Sequence, residues 1–319
     1  MMTRFLTLLV LFLSASNIHA QDPYFSQLYA NRLFLNPALT GIETQPELHV
    51  HYRNQWPNLS GNFQTANVSY DQKIEKINSG IGAILMYDGQ GSALKNYTLG
   101  LNYAYHFQIG EEIKISTGTQ FLFGAKRMDW SQLNFGDNIN PQQGFIYQTG
   151  DLARPNGINY FDLSFGLAAQ WKKLFFGASI HHVNTPNVSL ILGESRLPIR
   201  YSIHGGYNFN IKLGSGENAP ILTISPHVFY QNQGGFDMLT YGLYASFKGA
   251  VLGAFVRQDT DIVAMLGYDF NALRLAYSYD YVTSQLTNPS GGSHEISLRY
   301  RIGADFKTRT QKTHQFPTF

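Results

Sequence analysis

The residues whose types and spacing could do chemistry are few. His49 and His51 stand two apart, as do Ser202 and His204. In a strand, that spacing puts both side chains on one face. Two imidazoles on one face suit a metal, but they fall short of the usual ligand count. Polar lining of an interior is the plainer reading. A Ser–His pair could hydrolyse lipid if a third group oriented the imidazole. The sequence places no carboxylate or amide to do so. His181 and His182 are adjacent, so a strand would point them to opposite faces and they could not chelate together. Arg274, Asp280, Arg299 and Arg301 gather near the C-terminal end, where an ion-pair network is the bland reading and solute guidance the sharper one. No His-Glu-x-x-His run, Cys metal motif or Gly-rich phosphate loop before a helix is present. The expectation is therefore a protein with no catalytic residue, no metal and no cofactor, and not an enzyme.

The elements that must position these residues are strands. In Tyr97–Phe107 every odd position is apolar or aromatic and every even one is small or polar. The same period of two runs through Phe161–Trp171, Tyr201–Lys212, Arg274–Tyr281 and Glu295–Ile302. Period two means a strand with one apolar face. Segments 47–56, 62–73, 79–88, 94–108, 112–126, 159–172, 174–183, 200–212, 221–231, 236–248, 250–258, 261–271, 273–284 and 292–302 give about fourteen strands, an even number as bacterial barrels require. The second and eleventh alternate poorly. The non-apolar face is mostly Gly, Ser, Ala and Asn, whereas a soluble β-sandwich would show Lys and Glu there. Strands of about ten residues also exceed the usual mode of about 5–6. Aromatics recur near the ends of the apolar faces, at Tyr87, Tyr97, Phe107, Trp171, Tyr281 and Tyr300, as membrane interfaces favour. The fold expected is all-β: a transmembrane up-and-down antiparallel β-barrel with a short N-terminal segment.

Composition agrees. Charged residues are 14% of the chain, aromatic residues are also 14%, and Cys is absent. Lys plus Arg is 23 against 21 for Asp plus Glu, which speaks against a nucleic-acid partner. Arg4 followed by an apolar run from Phe5 to Leu13 and small residues to Ala20 reads as a signal peptide over 1–20. Residues 21–46 form a plug-like segment with Tyr24, Phe25, Leu28, Asn36 and Pro37, too apolar to dangle in water. The barrel spans 47–303, and 304–319 is a basic periplasmic tail. Short links at 109–111, 172–173, 249 and 271–272 alternate with longer ones at 127–158, 184–199 and 285–293. Short periplasmic turns and long external loops are the rule in such barrels, which puts both mature ends in the periplasm. Inward glycines at Gly82, Gly100, Gly118, Gly166, Gly177, Gly206, Gly242 and Gly267 either make room for a plug or relieve crowding.

Four short motifs carry a family resemblance. They are Gln21-Asp22-Pro23-Tyr24-Phe25-Ser26-Gln27 with Asn36-Pro37-Ala38-Leu39-Thr40-Gly41, then Tyr52-Arg53-Asn54-Gln55-Trp56-Pro57, then Asp129-Trp130-Ser131-Gln132-Leu133-Asn134-Phe135-Gly136-Asp137, then Glu295-Ile296-Ser297-Leu298. Together they resemble the PorP/SprF family of type IX secretion system membrane proteins. The resemblance implies an outer-membrane barrel of Bacteroidota serving type IX secretion or gliding motility. Its implied partners are outer-membrane lipid, other type IX secretion components, and a secreted protein with a type IX C-terminal sorting domain. The long loop, through Trp130, Phe135, Asp137, Phe145 and Tyr147, is the expected partner surface. The N-terminal Asn-Pro-Ala segment also resembles the plug of fatty-acid transport barrels, so a transporter of a small hydrophobic solute is the alternative.

Overall fold

The computed structural model describes residues 22–133, 139–140, 144–145, 156–216, 219–283 and 290–304. The signal peptide expected over 1–20 and the tail from residue 305 lie outside the described residues.

The wall is a closed antiparallel ring. Its strands are β1 (Glu47–Gln55), β2 (Phe63–Ile74), β3 (Ser79–Gln90), β4 (Leu94–Ile109), β5 (Ile113–Met128), β8 (Ile158–Trp171), β9 (Leu174–His181), β10 (Arg200–Tyr207), β11 (Phe209–Lys212), β12 (Ile221–Gln233), β13 (Phe236–Phe247), β14 (Ala250–Arg257), β15 (Asp261–Asp269), β16 (Leu273–Val282) and β17 (Ser293–Arg301). A two-residue hairpin of β6 (Ile139–Asn140) and β7 (Gly144–Phe145) belongs to the longest loop. β1 pairs with β17, and β10 pairs with β12, which closes the ring at fourteen strands with β11 as an extra piece. β10 and β11 are one stave broken at Asn208, whose backbone N–H donates to the Lys173 carbonyl and whose side chain accepts from Ser225 Oγ at 2.7 Å.

Each strand forms because its two faces meet different solvents. On β4, Thr98 and Asn102 are buried while Leu99, Leu101 and Tyr103 lie open on the outside. The same outward band continues through Phe121, Leu167, Ile203, Leu243, Leu266 and Ile296. A closed ring satisfies every backbone pair and leaves no edge in lipid. Exposed Tyr97 and Tyr281 stand near one rim and exposed Phe107 and Trp171 near the other, as two aromatic girdles. Among the described residues, no helix is long and apolar enough to cross a membrane.

The connections differ between rims. Residues 129–157, 182–199 and 283–292 join strands at one rim, which we take as external, while 110–112, 172–173, 248–249 and 270–272 turn at the other. Residues 22–46 thread the lumen between the rims. The Asp22 N–H donates to Gln233 Oε1 at the external end of β12, whereas the Pro46 carbonyl accepts from Ile302 at the opposite rim. The two described ends therefore lie at opposite rims. The expectation that both sit in the periplasm fails for the N-terminal end, because the segment runs up the lumen and not beneath it. A single helical turn, α1 (Arg32–Leu35), crosses the middle, a local helix that the sequence pattern did not reveal.

Candidate functional site

The lumen is filled by its own N-terminal segment, and the contacts form four stations. At the outer mouth, Asp22 Oδ2 meets His182 Nε2 at 2.6 Å and Arg200 Nη1 at 2.9 Å. Just below, two guanidinium groups lie over the Tyr24 ring, Arg53 at 4.7 Å and Arg257 at 4.3 Å from its centre. A cation over an aromatic ring is favourable, more so when desolvated. Ser26 Oγ donates to Asp280 at 2.6 Å and accepts from both arginines at 3.0 Å. The backbone N–H groups of Ser26 and Gln27 donate to Glu295 at 2.8 and 3.1 Å, and Ser297 Oγ donates to Gln27 Oε1 at 2.5 Å.

In the middle, Phe25, Tyr29, Leu33 and Leu39 are at most 2% exposed. Tyr29 packs edge-on against Phe175 and His204 and near His227 and Tyr244. Asn36 uses its whole amide. Its Oδ1 accepts from Ala38 N–H at 2.9 Å, and its Nδ2 donates to the carbonyls of Leu167 and Ala178 at 3.0 and 3.2 Å. Pro37 opens a turn of 3-10 helix that lies against the wall at Gly118. Leu28 is half-buried beside this core. All five plug residues expected from the sequence (Tyr24, Phe25, Leu28, Asn36 and Pro37) are thus seated inside the barrel.

Towards the periplasmic rim, Arg32 bonds Glu47 and meets His49 Nε2 at 3.2 Å and Asp71 at 3.5 Å. Glu47, His49 and Asp71 bring possible ligand atoms within 4.8 Å of one another. The guanidinium of Arg32 is the cation that this group holds. His51 parts from His49 and bonds the Ala30 carbonyl at 2.9 Å instead. The inward cluster read from the sequence is an ion-pair network. Arg274 and Arg299 reach Asp269, Arg301 reaches Glu47, and Asp280 joins Arg53 and Arg257. Ser202 and His204 do not pair. Ser202 Oγ lies 2.8 Å from Ser179 Oγ, while His204 meets the Tyr29 hydroxyl and the Asn36 amide.

One expectation fails at His181 and His182. Both are buried, their rings 6.3 Å apart, because His182 has a positive φ of 59° that turns it inward. Its other nitrogen, Nδ1, meets Asp162 at 2.6 Å. Burial alone would lower the His182 pKa, but the Asp22 and Asp162 carboxylates push it up to about 9.

The glycines divide between the two readings left open. A Cβ at Gly118 would lie 2.4 Å from Pro37, and one at Gly166 would lie 2.0 Å from Asn36 Oδ1. Gly80, which the sequence reading passed over, meets Thr40 O at 2.1 Å, and Gly82 meets Leu33. These make room for the segment. Gly177, Gly206, Gly242 and Gly267 instead face His204, Phe175, Phe255 and Ala276 of the wall, and Gly100 faces Ile84.

Of the expected loop surface, Trp130 is half-buried in a 3-10 turn (Trp130–Gln132) capped by Asp129, which accepts from Ser131 N–H at 3.2 Å. Phe145 is placed only by its backbone in β7. Phe135, Asp137 and Tyr147 lie outside the described residues.

Three of the four short motifs therefore meet in space, while Asp129–Leu133 of the other lies in the external connection. Ser26, Gln27 and Asn36 come from the first, Arg53 from the second and Glu295 with Ser297 from the last, and they hold the segment to the wall. Solved structures similar to the chain include the P. putida toluene transporter TodX, at 10% identity and TM-score 0.48, covering 83% of this chain and 92% of that one. A Pseudomonas aeruginosa FadL homologue is 13% identical at TM-score 0.45, covering 84% and 93%. The KdgM porin is 8% identical at TM-score 0.38, covering 80% and 98%. No curated protein sequence matches the chain. The family model for the type IX secretion system membrane protein PorP/SprF matches residues 17–300. With that match over most of its length and a closed barrel, this outer-membrane chain belongs to the PorP/SprF family.

Proposed function

We propose that the protein is a closed platform in the type IX secretion and gliding machinery, assisting secretion or surface attachment of a cognate secreted protein. That partner carries a type IX C-terminal sorting domain, and other type IX components dock on the same barrel. The role is non-catalytic. The observation that supports this reading most is the seated segment 22–46, anchored on buried charges from both walls. A lumen so filled leaves the external loops as the working surface. Residues 129–157, through Trp130, Phe135, Asp137, Phe145 and Tyr147, are the main contact, with help from 182–199. Aromatic side chains are enriched in protein interfaces.

The test replaces residues 136–150 with a short Gly-Ser link and compares the surface proteome with that of the parent and of a gene deletion. The expected result is an inserted barrel and one stranded surface protein. Normal display of every surface protein with intact insertion would sink the reading. Loss of uptake of a small hydrophobic solute in the deletion strain, with display unchanged, would support the transporter instead.

A further inference from the structure

We propose that His182 and Arg200 form a carboxylate-recognition site at the outer mouth of the lumen. Asp22 of the same chain occupies it here. A carboxylate presented from outside takes the place of Asp22 and frees the outer end of the plug. The site stands on its own geometry and does not depend on the role proposed for the loops.

The site is built, not incidental. The Asp22 carboxylate is held at 2.6 Å by His182 and at 2.9 Å by Arg200, whose side chains are 8% and 4% exposed. Asp162 accepts from the other ring nitrogen of His182 at 2.6 Å, which fixes the ring and favours the imidazolium. The backbone at His182 is left-handed, a conformation that non-glycine residues seldom adopt and that recurs at functional sites. Strand alternation would otherwise send this ring to the lipid side.

Beside the held carboxylate lies a cavity of about 60 Å³. It is lined by Asp22, His182 and Arg200 together with Lys126, Leu122 and Phe34. One water needs roughly 10–15 Å³ of such space, so about four to six non-hydrogen atoms fit. That is the size of a short-chain acid, or of the end of a glutamate side chain. Half-buried Lys126 makes no side-chain hydrogen bond or ion pair with the described residues and adds a third cation beside His182 and Arg200. Asp88 and Asp162 also face the cavity, but each already accepts bonds, Asp88 from Thr65 and Gln90 and Asp162 from His182. They limit the site to one incoming carboxylate.

His182 and Arg200 also bracket the external connection 182–199. Whatever grips that loop is therefore one residue from the groups that hold the plug. Asp22 competes as a tethered ligand with an effective concentration in the millimolar range. A free acid must exceed that concentration. A carboxylate on a macromolecule that also holds the loop gains the same advantage by its own tethering.

The test uses full-length, detergent-solubilised Asp22→Ala barrel. Chymotrypsin should cut after Tyr24 about tenfold faster than in wild type, as loss of a buried ion-pair partner implies. Acetate should raise the thermal midpoint of the variant where acetamide does not, and adding His182→Ala should abolish the rise. The source is separated in wild type. Faster cleavage with added acetate assigns the site to free short-chain acids, and no change assigns it to a carboxylate carried by a partner chain. If Asp22→Ala fails to insert, Asp22→Asn serves for the same measurements. A folded variant that responds to acetate no more than to acetamide overturns the site.

Discussion

Replacing Gly118 by Val separates the plug from the barrel that holds it. A Cβ at this position would lie 2.4 Å from the carbonyl carbon and oxygen of Pro37 and 2.6 Å from Ala38 N, where ordinary contact begins at 3.4 Å. The segment must back away by about 1 Å. That carries the Asn36 amide out of reach of the Leu167 and Ala178 carbonyls, now at 3.0 and 3.2 Å. Overpacking costs roughly 1–3 kcal/mol, and each lost hydrogen bond adds about 1 kcal/mol. Together these come to roughly 3–5 kcal/mol and shift the seated population by roughly a hundredfold to a few thousandfold, since about 1.4 kcal/mol is a factor of ten. The assay is trypsin cleavage after Arg32, 2% exposed when seated, read by mass spectrometry. Heat-modifiable gel mobility reports whether the barrel itself has folded. Gly242→Ala is the control, because its Cβ would meet Ala254 O of the neighbouring strand at 2.1 Å and disturb the wall alone. A folded Gly118→Val barrel with wild-type protection of Arg32 would refute the seating described.

Arg53→Met should destabilise the barrel by about 3–5 kcal/mol in urea titrations in lipid, because it leaves Asp280 and Glu295 buried with one guanidinium fewer; a loss under 1 kcal/mol would show the network to be ornamental. Leu101→Arg, on the lipid side, should cost roughly 2–4 kcal/mol near the midplane. Ser278→Arg, expected to be cheap in a watery lumen, should cost a similar amount, because Gln27 Nε2 sits 3.2 Å from that hydroxyl; a clearly smaller cost would mean the lumen is wet. The raised His182 pKa sets a pH window. Its contribution is full below the ordinary value of 6.5 and is lost as pH rises through about 9. Chymotrypsin cleavage near Tyr24 should therefore accelerate across that range, and His182→Gln should flatten the profile.

The wall was legible because its two faces meet lipid and a polar interior, so nearly every strand shows the period-two pattern. The two weak segments have physical causes. β2 turns Gln64 and Ala66 outward, which dilutes its apolar face. β14 buries Val251 and Phe255 inward, because the lumen beside it is an apolar core with Tyr244 and Met265, so both of its faces are apolar. The plug was legible from its apolar residues, but its direction was not. Asp22 reaches the outer mouth through partners 160 and 178 residues away, and no local pattern encodes such pairs. The inward turn of His182 depends on one positive φ at a residue that is not glycine. The break at Asn208, inside the segment 200–212 expected as one strand, gave no signal, because a polar residue between Tyr207 and Phe209 continues the period-two pattern.

Single-channel recording in planar bilayers tests most directly whether residues 22–46 close this barrel. The wild-type protein should insert and stay silent, and a variant lacking 22–46 that keeps its heat-modifiable mobility should conduct. Steady conductance from the wild type, or silence from the folded deletion variant, would contradict the account.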